Sequence, residues 1–158
     1  MNNNETSHSI DSPKESHPPD LSICSFELWI FGRQFPDADD YWDGNWLDVT
    51  AKCCGTSSIV HAHGSILHLS ELQQWLVECK QVYTTLSGEA HLRCMEPNID
   101  VKIQMKERGA CELLVSLTND HLYEQHSFCF EIDQSYLPKL IENLETVLYS
   151  YPLKGETP

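Results

Sequence analysis

The stretch IDVKIQMK, residues 99–106, places apolar side chains at every second position and polar side chains between them. This alternation predicts a β-strand with one face in the core and the other in water, the usual pattern of an antiparallel sheet. Turn-forming pairs bound the strand, Pro97-Asn98 before it and Arg108-Gly109 after it. Each turn predicts a hairpin partner, so this strand should be the middle of a meander.

The segments around this strand extend the meander and add a helix on each side. Residues 89–95, 111–118 and 126–132 are expected to be strands, and residues 135–149 carry the 3.6-residue apolar period of a helix. A second helix is expected to start at Ser70, through a Ser70–Gln73 capping box, and to stop at Gly88. Its core-facing positions are expected to be Leu72, Trp75, Leu76, Cys79, Val82, Tyr83 and Leu86.

Three more strands are expected before the first helix, at residues 25–31, 46–53 and 58–67. The resulting order β-β-β-α-β-β-β-β-α lacks the regular alternation of strands and helices that a parallel sheet requires. The sequence therefore predicts an α+β fold, a single domain formed mainly by an antiparallel β-sheet with two helices packed on it. The domain should span residues 22–153.

Two terminal segments are expected to lie outside the core. Residues 1–21 consist largely of Asn, Ser, Glu, His and Pro. Such a composition cannot offset the entropy of ordering, so a disordered polar tail with solvated His8 and His17 is predicted. Residues 154–158 are expected to be a flexible C-terminus.

The charge balance indicates the chemistry of a partner. The chain has 24 acidic and 10 basic residues, for a net charge of −14, and the sequence contains no basic patch. Nucleic acid and anionic membranes would be repelled, whereas a basic protein would be attracted. Solubility alone is the alternative reason for such a charge.

The cysteines indicate the cellular compartment. Seven cysteines occur without a Cys-x-x-Cys spacing, so neither a disulfide nor a zinc framework is expected, and a cytoplasmic setting is predicted. Signatures of nucleophilic catalysis and of nucleotide binding are also missing from the sequence. A non-catalytic protein without a cofactor is therefore expected.

One acidic and aromatic segment is the candidate for partner binding. A calcium loop starting at Asp39 would place Thr50 at the twelfth position, where a bidentate Glu is needed, so that interpretation fails. Contact with a basic partner is favoured, and a merely hydrated turn is the alternative. The proposed partner-binding residues are Asp37, Asp39, Asp40, Tyr41, Trp42 and Asp43.

A histidine pair is the second candidate. His61 and His63 alternate onto one face of a predicted strand, with His68 nearby in sequence, a spacing that can present imidazoles to a metal ion. No third ligand with matched spacing is identifiable, so no metal site is assigned. A metal-assisted hydrolase using His61, His63 and an aspartate of residues 37–43 remains the alternative function.

Several short segments resemble the WapI-like immunity proteins, a family of small bacterial proteins. The resemblance would cover residues 26–152, and it implies a protein that neutralises the toxic C-terminal domain of a cognate secreted toxin inside the producing cell. An interaction module unrelated to toxins is a further alternative. The segments that carry the resemblance are Phe26-Glu27-Leu28, Gly32-Arg33-Gln34-Phe35-Pro36, Asp43-Gly44-Asn45-Trp46-Leu47, Leu72 with Trp75-Leu76, and Glu96-Pro97-Asn98.

Overall fold

The computed structural model describes residues 17–158, which form eight strands and two α-helices. The helices are α1, Leu69–Thr85, and α2, Leu137–Ser150. The strands are β1 Leu21–Ile23, β2 Phe26–Arg33, β3 Trp46–Cys54, β4 Ile59–His68, β5 Glu89–Arg93, β6 Ile99–Met105, β7 Ala110–Leu117 and β8 Ser127–Asp133.

The strands form two antiparallel sheets of four, in the orders β1-β2-β3-β4 and β5-β6-β7-β8. The predicted α+β class is confirmed, but the expected single sheet is in fact two. The reason is α1, whose 17 residues lie between β4 and β5 and so prevent a hairpin between them. Each group of four consecutive strands therefore closes its own meander.

A single core joins the two sheets and the two helices. The sheets meet through β3, β4 and β7, while α1 packs against β5 and α2, and α2 packs against β1. Strand β6 has the predicted alternation, since its four apolar side chains are buried and the residues between them are half-exposed. The core-facing stripes of both helices are confirmed at Leu72 and Leu144, which are fully buried.

The ends of α1 differ from the prediction by two residues each. The N-cap is His68 rather than Ser70, because β4 runs directly into the helix and leaves the junction residue to cap it. At the other end Leu86, with φ 51°, takes the left-handed position expected for Gly88, and it donates its N–H to the Val82 carbonyl. Near this end of α1 the predicted core positions Tyr83 and Leu86 are each 44% exposed rather than buried.

The folded domain begins before the predicted boundary at residue 22. Leu21 lies in β1 and is fully buried, so its assignment to the tail was wrong. Asp20 Oδ2 accepts the Ile30 N–H at 2.7 Å, and the His17 carbonyl accepts the Trp29 indole N–H at 2.7 Å. Hydrogen bonds to β2 therefore hold His17 and Asp20, and apolar burial holds Leu21. The rest of the predicted tail, including His8, lies outside the described residues.

The domain also extends beyond residue 153. Lys154 was expected to belong to a flexible C-terminus, but its backbone N–H donates to Asn45 Oδ1 at 2.9 Å. Its carbonyl accepts a hydrogen bond from Asn45 Nδ2 at 2.9 Å. The final segment is therefore attached to the connection between β2 and β3.

Candidate partner-binding site

All six predicted partner-binding residues lie in the connection between β2 and β3, and residues 37–43 are called the acidic loop below. Asp37, Asp39, Asp40 and Asp43 are all exposed. The side chain of Trp42 is 52% exposed, whereas Tyr41 is half-buried. The loop therefore presents carboxylates and one large aromatic side chain on the same surface segment.

One of the aspartates shapes the loop. Asp40 Oδ1 accepts the backbone N–H groups of Trp42 and Asp43, each at 2.9 Å. The Asp40 carbonyl accepts the N–H of Gly44 at 3.2 Å, at the short 3-10 helix Asp43–Asn45. An Asp at such a turn satisfies N–H groups that the next turn leaves open. Asp40 thus fixes the backbone from which Trp42 projects.

The fully buried amide of Asn45 supports the loop from below. Its Nδ2 donates to the carbonyls of Tyr41, at 2.7 Å, and of Lys154. Its Oδ1 accepts from the Lys154 N–H and from Arg33 Nη1, at 2.9 and 3.2 Å. Two donors and two acceptor positions are thus all used, as a buried amide requires. Asn45 joins the loop, β2 and the C-terminal segment.

His68 supports the loop from a second side and is also fully buried. Its Nε2 lies 3.1 Å from the Tyr41 carbonyl and 3.3 Å from the Trp42 carbonyl. Because Nδ1 accepts the Ser70 N–H, Nε2 carries the proton and donates to these carbonyls. The ring also contacts aromatic neighbours, with centroid distances of 5.4 Å to Tyr41, 6.0 Å to Trp42 and 5.1 Å to Trp46.

Two nearby cations are engaged by backbone carbonyls. Arg33 donates to the carbonyls of Gly44 and Pro152. Lys154 Nζ donates to Pro36 and Ala38, at 2.7 and 2.9 Å. Lys154 also lies 3.8 Å from Asp39, whose side chain is 96% exposed, so water screens that pair strongly. These cations hold the loop while its carboxylates remain accessible.

The structure does not bring the histidine pair to the acidic loop. His61 and His63 share one face of β4, opposite Lys52 and Thr50 on β3. His63 lies five positions before His68, which is roughly 16 Å along a strand. Within residues 17–158, no three His, Cys, Asp or Glu side chains are grouped so that they could hold a metal ion. The geometry therefore gives the hydrolase alternative no support.

The buried thiols are not poised for nucleophilic chemistry. Burial raises the pKa of Cys53 and of Cys79 to about 12. Burial and the neighbouring Glu71 carboxylate raise the pKa of Cys94 far above its ordinary value. Cys53 points inward and Cys54 is half-exposed, as expected for adjacent strand residues. A thiolate nucleophile would need the opposite environment.

The supports of the loop, Arg33, Asn45, His68 and Lys154, were not identified as site residues from the sequence. Arg33 and Asn45 do lie within two of the short segments that carry the family resemblance. For Arg33 and Asn45 that resemblance was the only sign of importance in the sequence. The roles of all four supports depend on contacts with residues distant in sequence.

Comparison with known proteins gives one positive result. The chain matches the immunity protein WapI-like family over residues 20–152, a span that contains both sheets, both helices and the acidic loop. This match confirms the resemblance found in the sequence and extends it to the segment before β2. No curated protein and no solved structure gives a significant match. In the part of the chain from residue 17 onward, no helix is long and apolar enough to cross a membrane.

Proposed function

Because the chain belongs to the WapI-like immunity protein family, we propose that it binds and neutralises the toxic C-terminal domain of a cognate secreted toxin in the cytoplasm of the producing cell. Binding alone achieves this, since a protein that covers the active surface of a toxin prevents its substrate from reaching it. No catalytic group is needed.

The observation that carries the choice of contact site is the preorganised acidic loop. Asn45 and His68 hold its backbone through buried hydrogen bonds to the Tyr41 carbonyl, so little ordering remains to be done when a partner binds. Trp42 is half-exposed and rests against the His68 ring, which suits an anchor that enters a pocket on the partner.

The charge of the protein supports a basic partner. The acidic loop carries four exposed aspartates, and the whole chain has a net charge of −14. Opposite charges accelerate association and exclude partners of like charge. A toxin domain that acts on nucleic acid has a basic surface, and an acidic inhibitor competes for that surface.

Co-expression tests this function directly. The toxic domain proposed as the cognate partner should arrest growth of a bacterial host, and the wild-type chain should restore growth and co-purify with the domain. Trp42→Ala should weaken protection, whereas Tyr149→Ala, a change at a side chain that is 90% exposed on α2, should protect like the wild type. Growth arrest that persists with the wild-type chain present, without co-purification, would refute the proposed function.

A further inference from the structure

A second connection exposes large apolar side chains more strongly than the acidic loop does. Residues 118–126 join β7 to β8 and carry Leu122 and Tyr123, which are 74% and 87% exposed. Isolated exposed apolar residues are common on protein surfaces, whereas contiguous exposed apolar patches mark sites of contact with other proteins. Leu122 and Tyr123 are adjacent in sequence, which makes this connection a candidate contact site.

The exposed pair sits on an ordered turn. Asp120 Oδ1 accepts the Leu122 N–H at 3.1 Å, and the Asp120 carbonyl accepts the Glu124 N–H at 2.9 Å. Thr118 Oγ1 donates to the Glu124 carbonyl at 3.1 Å, which closes the turn. Leu122 and Tyr123 are thus held outward by the backbone, and binding would not have to order them first.

A chain of hydrogen bonds connects this turn to the acidic loop through the connection between β5 and β6. The Asn98 amide, which is buried, donates to the Thr118 carbonyl at 3.0 Å. At the start of the same connection the Met95 N–H donates to Glu71 Oε1 at 2.7 Å. Glu71 Oε2 accepts the His68 N–H, and the His68 ring bonds to the Trp42 carbonyl. These hydrogen bonds and the connection between β5 and β6 therefore link the acidic loop in series to residues 118–126.

The middle connection shares the surface chemistry of its two neighbours. Met95 is 52% exposed, the same fraction as Trp42. Residues 94–98 and 118–126 contain Glu96, Asp120 and Glu124 but neither Lys nor Arg. Exposed apolar side chains with acidic neighbours therefore recur on all three connections.

We infer that the toxin-binding surface continues from the acidic loop over Met95 to Leu122 and Tyr123, and that its occupant is a basic protein surface with apolar pockets between its cations. This inference rests on the proposed function. A stable interface usually involves about 20–30 residues on each side, whereas the acidic loop alone supplies seven. On this surface the carboxylates should raise the association rate, and the apolar side chains should lower the dissociation rate.

Binding kinetics with the toxic domain proposed as the cognate partner test the extension. The double variant Leu122→Ser, Tyr123→Ser should dissociate faster by on the order of tenfold or more, with little change in association rate. Met95→Ser should dissociate faster to a smaller extent. Tyr149→Ser, which removes an equally exposed aromatic side chain from α2, should behave as the wild type.

Different results of this experiment would refute the extended surface and the proposed function. If the wild type binds and the double variant dissociates no faster than Tyr149→Ser, the extended surface is refuted while the immunity role stands. If the wild type does not bind the domain, the proposed function is refuted, and the extension with it. Unfolding midpoints of the variants should equal that of the wild type, because the replaced side chains are exposed.

Discussion

At the scale of single residues, Asn45 determines the shape of the acidic loop. Its amide is fully buried and bonds to backbone groups up to 109 positions away in sequence. Asn45→Ala would leave the Tyr41 and Lys154 carbonyls and the Lys154 N–H without this partner. The Tyr41 carbonyl keeps the His68 N–H, whereas the two Lys154 groups lose their bonds to Asn45. Because a buried polar group left unsatisfied costs about 1–3 kcal/mol, the free energy of unfolding should fall by about 2 kcal/mol.

Urea unfolding measures this effect, with Gln73→Ala, an exposed position on α1, as the control. The same variant should also bind the toxin domain more weakly, because the loop would no longer be held for contact. Equal unfolding midpoints for the two variants would contradict the assigned role of Asn45.

Glu71 gives a pH-dependent prediction. Burial raises its pKa above the ordinary value of 4.5, although the hydrogen bonds from His68 and Met95 oppose the shift. The folded state therefore takes up this proton more readily than the unfolded state. The resulting contribution to stability is fully present below the ordinary pKa and is lost as the pH rises through the raised pKa.

Unfolding free energies of the wild type and of Glu71→Gln between pH 4 and pH 7 measure this contribution. Gln does not titrate, so the wild type should gain stability relative to the variant as the pH falls. Glu142→Gln, at an exposed position on α2, should show no such gain. A wild-type-to-variant difference that is constant across this range would show that Glu71 does not titrate as described.

The sequence predicted the acidic loop between two strands but not the residues that hold it. Asp37 and Trp42 could be placed on a surface segment because Pro, Gly and Asp residues around them are typical of loops. His68 could not be recognised as a support, since its ring contacts residues 26 and 27 positions away. Such contacts depend on the packing of β4 against β3.

At the scale of elements, local periodicity predicted the strands and helices well. The alternation in β6 and the apolar stripe of α2 follow from short-range spacing, and both agree with the structure. The division into two sheets was not predictable in this way, because it depends on which strands remain adjacent after α1 is formed. Strand β1 was missed because its three residues are too few for a periodic signal.

The two helix stripes give a stability prediction. Leu72 on α1 and Leu144 on α2 are fully buried, so replacing either with Ala should lower the free energy of unfolding by about 2–5 kcal/mol. Glu142→Ala, on the exposed face of α2, should change it by less than about 0.5 kcal/mol. Thermal or chemical unfolding of the three variants tests this, and a silent Leu144→Ala would mean that α2 does not pack as described.

Glu78 on α1 contributes to stability through a hydrogen bond, so it would not serve as a silent control for the leucine variants. Its Oε2 accepts the His91 N–H at 2.7 Å, which satisfies a backbone donor on the edge strand β5. A helix that covers a sheet edge in this way protects it from pairing with other chains. Glu78→Ala should therefore cost about 1–3 kcal/mol in unfolding experiments. A cost as small as that of Glu142→Ala would show that this hydrogen bond contributes nothing.

At the scale of the whole molecule, the net charge of −14 and the local charge of the acidic loop make different predictions. A general acidic field would attract a basic toxin whichever carboxylates are removed. A specific contact surface would depend on the four aspartates of the loop. Removing the same number of charges at two places separates these possibilities.

The most direct measurement is the association rate of the toxin domain with two matched variants. One carries Asp37→Asn, Asp39→Asn, Asp40→Asn and Asp43→Asn, and Asn at position 40 still has an oxygen to accept the turn hydrogen bonds. The control carries Glu107→Gln, Glu131→Gln, Glu142→Gln and Glu145→Gln, all at exposed positions outside the three connections. At low salt the loop variant should associate about tenfold more slowly than the control, and the difference should shrink near 1 M salt, where the screening length is about 3 Å. Equal association rates for the two variants at low salt would contradict the acidic loop as the contact surface.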